Sequence, residues 1–580
     1  MKKITRKILC TASALVFGAT AFVGCGGGSG DKSNGGGGSG NGGDKTNKTV
    51  LSVGVYDGGL GYEWAEKVAE SFSEYYKDYE FEPGTGKKGI YVEVNHKKEQ
   101  YEPGVLVDNI LAGLENCDVY YTSSAWSQWE KVSRDITDIL TEKVYDSASG
   151  ELSANGNESI LDKLDDYYVY NYNFGTDDAP KYSYLPYEDF YKGFIYDHDL
   201  FKKNGWLHYS GRDGVPGTVD EFLKLCDEIR LAGYTPWTYS PSYTAMYTTL
   251  FNNGFVAQYE GEEAAKLNLT LDGEYTFGAG VLPADVKAAL DTNEYTDNAD
   301  GSVTVKINEK NGWVLAYQPS KKELVEFVRK VTEEKNLSPR YADNDYTFTE
   351  TQKDFVMSIR PAGGSKTVAM IFEGEWWENE ARDYFDSLDQ YFPGEDLGYG
   401  KRDFRFMPIF KSTSKNAKNE SKYSMYIEGA TAEFVNKNTK QYEAVKKWIQ
   451  FTLSESSLRT HARYTSCILP YDFECTAEDQ KGWSKFAVNN YNMKRDPEVT
   501  TYRFLRTDRD VSDFSKKSSL PMCGYGLSIW SGWSGKVSND LFFNMTMMQT
   551  LTAERWYEGM TSIYAKDKWM EAYNKYYSGN

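Results

Sequence analysis

The stretch Thr49-Val-Leu-Ser-Val-Gly-Val-Tyr56 is rich in β-branched residues, a composition that is typical of a buried strand. Apolar residues then recur at helical spacing over Tyr62–Tyr79, and Ile90–Val94 is the next strand-like run. A helix over Gly104–Leu114 and a strand over Cys117–Tyr121 follow. Strands that alternate with helices predict a parallel sheet with right-handed crossovers. This part of the chain therefore has the pattern of an α/β fold, which many α/β enzymes also show.

The same alternation continues toward the C-terminus. Thr218 is the predicted N-cap of a helix over Val219–Ala232, because Glu221 follows three residues later as in a capping box. Leu267–Ile307 has the pattern of a decorated β-hairpin insertion, and the spacing within Asp297–Gly301 favours a turn over a calcium loop. The other predicted strands are Phe194–Tyr196, Tyr234–Tyr239, Lys366–Phe372 and the strand-rich Ser424–Val435. The other predicted helices are Lys321–Glu334, Glu378–Phe385, Gln441–Leu453 and Ala553–Tyr577.

The composition excludes several classes of protein. The 580 residues are 40% hydrophobic and 15% aromatic, too much of both for a wholly disordered chain. Mean hydropathy is −0.62, and past the first 25 residues no apolar run reaches the 18 or so residues of a transmembrane helix. Lys and Arg number 65 against 85 Asp and Glu, a net charge of −20. We expect no nucleic-acid partner, because nucleic-acid binding needs a basic face.

The first 49 residues predict an exported protein that is anchored to a membrane. Residues 1–24 combine a basic start with an apolar run, as a secretory signal peptide does. Their end resembles a bacterial lipobox, in which Cys25 becomes the lipidated first residue; an ordinary signal peptide is the alternative. Residues 25–49 form the anchor and a Gly-rich tether that spans about 25–30 Å. Cleavage removes four basic residues, so the mature charge is −24. We predict an extracytoplasmic protein, lipid-anchored to the outer face of the cytoplasmic membrane.

Cysteine and histidine spacing argues against metal chemistry. Apart from Cys10 in the signal peptide and the lipobox cysteine, the cysteines are Cys117, Cys226, Cys467, Cys475 and Cys523. None has CxxC spacing, so we expect mostly free buried thiols, with a pair between Cys467 and Cys475 as the alternative. The four histidines form no HxxxH or HExxH arrangement. We therefore expect no metal ion and no cofactor.

The ordered segments carry family-like motifs. They are Asn116-Cys-Asp-Val-Tyr-Tyr121 ("APDVFY"), Asp135–Leu140 ("LLDLTD"), Leu185-Pro186 with Tyr191–Lys202 ("LPY…GLYYNKDLFK"), Gly217–Phe222 ("PKTWDEL"), Val368–Trp376 ("KAAMxxxGxW") and Ala444–Phe451 with Leu469-Pro470 ("AWKFLKFLTS…GxxP"). Their order resembles extracellular family 1, the carbohydrate-binding solute receptors of bacterial ABC importers, to which maltose-binding protein belongs. The resemblance covers nearly all of the chain from about Val50. The sequence departs by having His198 where the family often has Lys, and by its greater length.

The resemblance implies an α/β, two-lobed, periplasmic-binding-protein-like fold of type II, with discontinuous lobes joined by a hinge. The implied division is 50–190 for the first part of lobe 1, 191–427 for the first part of lobe 2 with an insertion near 267–307, 428–480 for the lobe 1 return, and 481–580 for lobe 2 and the C-terminal helices. Such a protein captures an oligosaccharide in the interlobe cleft and delivers it to the transmembrane permease of an ABC importer. We expect a monomer that performs no chemistry on its ligand.

A sugar site needs flat aromatic rings and hydrogen-bonding side chains, and turns after strands are where a cleft is expected. Aromatic and acidic residues at such places are the candidate ligand contacts: Asp57, Trp126, Glu188, Asp189, Trp237, Trp376, Trp377, Trp530 and Trp533. The resemblance implies a stacking Trp at the Trp376 and Trp377 position and a cleft aromatic near the C-terminus. The alternative for each Trp is a core or surface role, and for each carboxylate a solvated turn.

Two other functions remain open at this point. A surface glycoside hydrolase would need two carboxyl groups about 5–5.5 or 6.5–9.5 Å apart, which a sequence cannot show. A receptor for peptides or acidic sugars is the third possibility. The mature charge of −24 favours a neutral ligand over an anionic one.

Overall fold

The computed structural model describes residues 45–124, 127–241, 244–341, 343, 346–428, 431–505, 507–517, 545–546, 549–563 and 565–578. The predicted signal peptide, Cys25 and the tether up to residue 44 lie outside this range, as does Cys523. Among the helices of the described residues, none is both long and apolar enough to cross a membrane.

The strands and helices alternate through most of the described chain. The strands are β1 Thr49–Tyr56, β2 Ile90–Lys97, β3 Val119–Thr122, β4 Phe190–Asp197, β5 Thr235–Thr238, β6 Gly273–Phe277, β7 Tyr295–Asp297, β8 Val303–Ile307, β9 Val368–Gly374, β10 Phe404–Phe406, β11 Tyr423–Glu428, β12 Ala432–Val435 and β13 Val499–Tyr502.

The helices have these bounds: α1 Glu63–Tyr75, α2 Pro103–Leu111, α3 Thr137–Thr141, α4 Ile160–Lys163, α5 Asp166–Asn171, α6 His198–Asn204, α7 Val219–Leu231, α8 Thr244–Glu260, α9 Glu262–Thr270, α10 Ala284–Ala288, α11 Pro319–Val331, α12 Phe348–Met357, α13 Trp377–Glu380, α14 Arg382–Tyr391, α15 Tyr442–Thr452, α16 Glu455–Thr465, α17 Lys485–Lys494, α18 Asp513–Lys517, α19 Ala553–Ile563 and α20 Lys566–Ser578.

The first lobe is built on a four-stranded sheet in the order β12-β3-β1-β2. β1 pairs in parallel with β2 and with β3, so that Val53 lies opposite both Val94 and Val119. β12 joins the far side of β3 antiparallel, although it comes from a part of the chain more than 300 residues later. Because β1, β2 and β3 run in the same direction, their carboxyl ends share one edge of the sheet, and the predicted parallel sheet is confirmed.

The second lobe is built on a mixed sheet in the order β13-β11-β4-β9-β5, with β10 also paired to β4. β4 is central and antiparallel to β9, β10 and β11, while β5 runs parallel to β9. All eight residues of β4 are buried, because both faces of this strand are covered. Phe194 packs into the larger apolar core, and its neighbour Ile195 packs into a smaller core on the opposite face.

Most predicted elements are present within a few residues of their expected ends. Thr218 caps α7 as predicted, since its hydroxyl accepts a hydrogen bond from the Glu221 amide at 3.2 Å. Three predictions need correction. The insertion is a three-stranded antiparallel sheet, β6-β8-β7, rather than a hairpin, because a short third strand returns to β8. The helix predicted after Trp377 is two helices, α13 and α14, and the C-terminal helix is also two, α19 and α20.

Candidate functional site

Three turns of the chain meet between the two sheets. The first is Asp57–Gly59 after β1, the second is Glu188-Asp189 before β4, and the third is Glu375-Trp376 after β9. We call the place where they meet the lobe junction. It brings together the carboxyl edge of the first sheet and the ends of two strands of the second sheet.

Trp376 is the centre of the lobe junction. Its indole is 5% exposed and packs edge-on against Phe190, with ring centroids 4.8 Å apart. The ammonium of Lys192 lies 5.4 Å from the indole centroid, within range of a cation–π contact. On the other side, the indole lies against the backbone of Gly59, and Asn379 donates a hydrogen bond to the Gly59 carbonyl at 3.0 Å. A single tryptophan of the second lobe therefore contacts the first β–α turn of the first lobe.

Asp57 is held at the open rim of this junction. One carboxylate oxygen lies 3.0 Å from Nδ1 of His96, and the His96 ring stacks on Tyr62 with centroids 3.5 Å apart. The Asp57 side chain is 37% exposed, so the same carboxylate is also accessible from solvent. Its orientation is fixed by His96, and it can still accept a hydrogen bond from a ligand.

Glu188 and Asp189 are both buried, and their surroundings differ. The amide of Glu188 donates to Oγ1 of Thr431 at 2.9 Å, which ties this segment to the chain that enters β12. The carboxylate of Asp189 accepts hydrogen bonds from the Tyr168 hydroxyl at 2.9 Å and from Nη2 of Arg503 at 2.9 Å. Both Asp189 oxygens are thus engaged within the protein, which gives this residue a structural role at the lobe junction.

Trp237 and Trp377 lie in the core. Trp237 sits in β5, where its Nε1 donates to the Val331 carbonyl at 3.1 Å and its ring packs against Phe194 and Tyr239. Trp377 is fully buried in the smaller core. Four phenylalanines surround its ring at centroid distances of 4.9–5.9 Å: Phe355, Phe385, Phe404 and Phe486. Neither indole presents an open face, so the structure does not bring these two to the junction.

Trp126, Trp530 and Trp533 lie outside the described residues, and their roles stay predictions. Of the remaining six candidates, the structure brings Asp57, Glu188, Asp189 and Trp376 together at the lobe junction.

Several polar groups at the junction are not among the site residues that the sequence predicts. Ser123 and Ser124 directly follow β3 at the same sheet edge as Asp57, and within the described part of the chain their buried hydroxyls have no hydrogen-bond partner. The rule that predicts Asp57, namely that a cleft lies at the turns after strands, applies equally to these two serines. Tyr56 donates to Glu102 at 2.9 Å, and burial raises the pKa of this phenol far above its usual range. Its position inside a strand gave no signal.

Three glutamates flank Trp376 in the segment Gly374-Glu-Trp-Trp-Glu-Asn-Glu380: Glu375 and Glu378 are buried, and Glu380 is half-buried. Burial raises the pKa of Glu375, Glu378 and Glu380 to about 7 in each case. Hydrogen bonds and a neighbouring lysine, in the case of Glu375, oppose that increase. A carboxyl group whose pKa lies near 7 is present in both protonation states at neutral pH, so it can donate as well as accept a hydrogen bond.

One cluster of metal-ligand type occurs among the described residues, formed by His198, Asp199 and Asp403. One of its two carboxylates is already committed: Arg405 donates to both oxygens of Asp403, at 3.0 and 2.6 Å, and Asn489 donates to the same carboxylate at 2.8 Å. A bound arginine repels a cation and occupies the lone pairs that a metal would need. We assign no metal site here.

The predicted Cys467–Cys475 alternative is not realised. Cys117, Cys226 and Cys467 are buried free thiols, and Cys475 is a half-buried one. The expectation of mostly free buried thiols is confirmed for the four cysteines that the structure describes.

No protein-family model matches the sequence, and neither does any curated protein. Solved structures do match its fold. The structure of RafE in complex with raffinose matches with a TM-score of 0.51 and 12% identity, over 90% of this chain and 100% of RafE. The apo form of RafE from Streptococcus pneumoniae matches as well. A protein from a study of xylan utilization by Caldanaerobius polysaccharolyticus matches with a TM-score of 0.52 and 10% identity, over 88% of this chain and 99% of that protein. A chitin oligosaccharide binding protein matches with a TM-score of 0.50 and 13% identity, over 89% of this chain and 98% of its own length. The chain therefore has the two-lobed α/β fold of solute-binding proteins such as RafE.

Proposed function

We propose that this protein is a solute-binding lipoprotein of extracellular family 1, which captures an oligosaccharide between its lobes and delivers it to an ABC-importer permease. The observation that carries the proposal is the contact of Trp376 with the Gly59 turn across the lobe junction. Opening of the lobes about a hinge would separate these two groups and uncover one face of the indole. An uncovered indole next to polar side chains is the kind of surface that a sugar ring requires.

The polar groups around Trp376 fit a neutral, hydroxyl-rich ligand. Asp57 offers an accessible acceptor on one lobe, and Ser123 and Ser124 offer hydroxyls at the same sheet edge. Hydrogen bonds to charged groups contribute about 1.5–3 kcal/mol each, enough to orient a sugar in a shallow cleft. The mature charge of −24 makes an anionic ligand less favourable. Raffinose in the RafE complex is a ligand of this chemical class.

The proposed location follows from the N-terminal sequence. A signal peptide over residues 1–24, a lipidated Cys25 and a Gly-rich tether would hold the lobes about 25–30 Å from the membrane surface. Replacing Cys25 by Ser should move the protein from the membrane fraction to the medium. Retention of the Cys25→Ser variant in the membrane fraction would contradict the anchor.

The central experiment is ligand binding without turnover. The mature chain, started after Cys25, is titrated calorimetrically with raffinose and with malto-, xylo-, manno- and chitin-oligosaccharides, and each mixture is then analysed for shorter products. Binding that leaves the oligosaccharide intact and decreases the radius of gyration in X-ray scattering supports the receptor. Release of shorter sugars would overturn it in favour of a glycoside hydrolase. Absence of binding across this panel would overturn the proposed ligand class.

The second part of the proposal, delivery to a permease, needs a test in cells. Deletion of the gene should abolish growth on the oligosaccharide that binds in vitro, while growth on its free monosaccharide continues. Unimpaired growth of the deletion strain on the oligosaccharide would contradict a transport role.

A further inference from the structure

A buried lysine joins several separate segments of the lobe junction. The ammonium of Lys494, at the end of α17, donates to the backbone carbonyl of Asp189 and to that of Ile468 at 2.9 Å. Its third partner is Oε2 of Glu375, at 3.1 Å. The side chains of Lys494 and Glu375 are only 8% and 0% exposed. All three donors of this ammonium are therefore directed to groups on different stretches of the chain.

These stretches belong to both lobes. Asp189 directly precedes the central strand of the second sheet, and Glu375 directly follows its neighbour β9. Ile468 lies just after α16, whose helix packs on α1 of the first lobe. A second cation extends the network, because Arg503 bridges the carboxylates of Asp189 and Asp165, the latter at the N-terminus of α5. The network is thus located where the chain passes from one lobe to the other.

Glu375 connects this network to the candidate ligand contact. Its amide donates to the Tyr191 carbonyl at 3.1 Å, and its carboxylate is held by Lys494, so backbone and side chain are both fixed. The next residue is Trp376, whose indole meets Gly59. A buried ion pair contributes little net stability on average, because the cost of desolvating both charges offsets their attraction. It does fix the positions of its two partners relative to each other. The arrangement suits positioning better than it suits simple stabilisation.

We propose that Lys494 is a positioning residue for ligand binding: it fixes Glu375, and through Glu375 the orientation of Trp376, relative to the chain segments that connect the two lobes. This inference rests on the proposed function, because its main consequence is a loss of oligosaccharide affinity. Lys494 touches no ligand in this scheme. Without its ammonium, Glu375 loses the cation that pairs with its carboxylate, and the turn that carries Trp376 loses its attachment to Asp189 and Ile468.

The test compares Lys494→Met with a matched control. Arg402 and Asp197 form another buried ion pair of the same lobe, with an Nη2–Oδ2 distance of 2.5 Å and side chains that are 5% and 3% exposed. Asp197 is the last residue of β4, and Asp189 directly precedes its first residue. At 3.4 Å per residue, the two ends of this strand are about 24 Å apart. Arg402→Met therefore removes a comparable buried charge from the far end of the same strand.

We expect both variants to lose thermal stability and only Lys494→Met to lose binding. The dissociation constant of the oligosaccharide, measured well below both melting temperatures, should rise at least tenfold in Lys494→Met and stay within twofold in Arg402→Met. Glu375→Gln, which keeps the shape of the side chain and removes its charge, should fall between them. Equal affinities in Lys494→Met and the wild type would overturn the proposal. If Lys494→Met does not fold, wild-type affinity in Glu375→Gln would overturn it as well.

Hydrogen exchange of the unliganded protein separates this inference from the proposed function. Peptides that cover residues 374–380 should exchange faster in Lys494→Met than in the wild type or in Arg402→Met. If the wild type binds no oligosaccharide and this acceleration is still seen, the proposed function fails and the positioning role of Lys494 stands. Unchanged exchange at 374–380 in Lys494→Met would overturn the positioning role whatever the ligand.

Discussion

The indole of Trp376 packs against the backbone of Gly59, so closely that a Cβ built on Gly59 would lie 2.7 Å from Cδ1 of the ring. Real Cβ atoms do not approach other atoms to this distance, so only glycine fits at position 59 while the junction stays as it is. The backbone of Gly59 does not have a positive φ, and the requirement comes from space alone. A side chain at Gly59 therefore tests the contact between the lobes directly.

Gly59→Ala should displace Trp376 and loosen the lobe junction. We expect destabilisation of about 1–3 kcal/mol, the usual cost of overpacking, together with a larger radius of gyration of the unliganded protein. Gly104→Ala is the matched control, because Gly104 lies in α2 with no atom within 4 Å of an added Cβ. It should stabilise the protein slightly, by about 0.5–1 kcal/mol, since alanine favours helix. Equal effects of the two substitutions would contradict the contact.

Trp376 and Trp377 are adjacent, and their substitutions should separate ligand affinity from stability. Trp376→Ala should weaken oligosaccharide binding about tenfold or more, as loss of a central aromatic contact does. Trp377→Ala should cost about 3–5 kcal/mol of stability, because it leaves a cavity among four phenylalanine rings. Both effects are measured by calorimetric titration and by chemical denaturation.

The titrations are done where each variant is folded. Trp377→Phe, which keeps most of the core volume, is the substitute if Trp377→Ala unfolds, and it should bind the ligand as the wild type does. An affinity loss in Trp377→Phe that equals the loss in Trp376→Ala would move the ligand contact from Trp376 to Trp377.

Local patterns predicted the elements that build the junction, and could not predict how its side chains are oriented. β1 and α1 follow from β-branched composition and helical spacing, which are properties of neighbouring residues. Which of Trp376 and Trp377 faces the other lobe depends on the geometry of the turn after β9. Two adjacent tryptophans cannot be told apart from the sequence alone. Trp237 lies in a strand that is buried on both faces, so alternation gave no information about its surroundings.

Long-range partners were also beyond the sequence. The sequence predicts Asp189 as a ligand contact because it is an acidic residue at a turn. Its actual partner, Arg503, is 314 residues away, and nothing local distinguishes a carboxylate that meets such a cation from one that faces a cleft. Ser123 and Ser124, by contrast, follow directly from the rule that sites lie beyond the carboxyl ends of parallel strands.

The thiols offer an independent check of the core. In the mature chain started after Cys25 and carrying Cys523→Ser, Cys475 should be the single thiol that reacts in the native protein. Burial raises its pKa to about 11, so its reaction with a disulfide reagent should accelerate from pH 7 to pH 9 as the thiolate forms. The other three should react only in denaturant, which gives four thiols in total. A total of two would reveal a disulfide.

Glu433 should make the stability of the protein fall as pH rises above neutrality. It lies in β12, is 1% exposed, and accepts a hydrogen bond from the Tyr121 hydroxyl at 2.8 Å. Burial raises the pKa of its carboxyl group to about 8, from the value of 4.5 expected in the unfolded chain. Between these two values the folded protein binds more protons than the unfolded one, so the free energy of unfolding decreases with increasing pH.

The pH range for the measurement is set by His461, which has the opposite effect. Burial lowers the pKa of His461 to about 3 from 6.5, so this residue makes stability increase with pH, mostly below about pH 6.5. Between pH 6.5 and 8, His461 is neutral in the folded protein and at most half protonated in the unfolded chain, so its opposing contribution is small, while Glu433 still takes up a proton on folding. Denaturant unfolding of the wild type at these two pH values should show a loss of stability, to which each such proton contributes at most about 1.4 kcal/mol per pH unit.

Glu433→Gln isolates the contribution of this one carboxyl group. Glutamine keeps the acceptor for Tyr121 and cannot ionise, so the variant should lose less stability than the wild type between pH 6.5 and 8. Glu375, Glu378 and Glu380, whose pKa values burial raises to about 7, keep part of the pH dependence in both proteins, and the comparison cancels them. If the two proteins lose equal stability over this range, Glu433 is ionised at neutral pH, and a buried charge in β12 must then find a partner other than Tyr121.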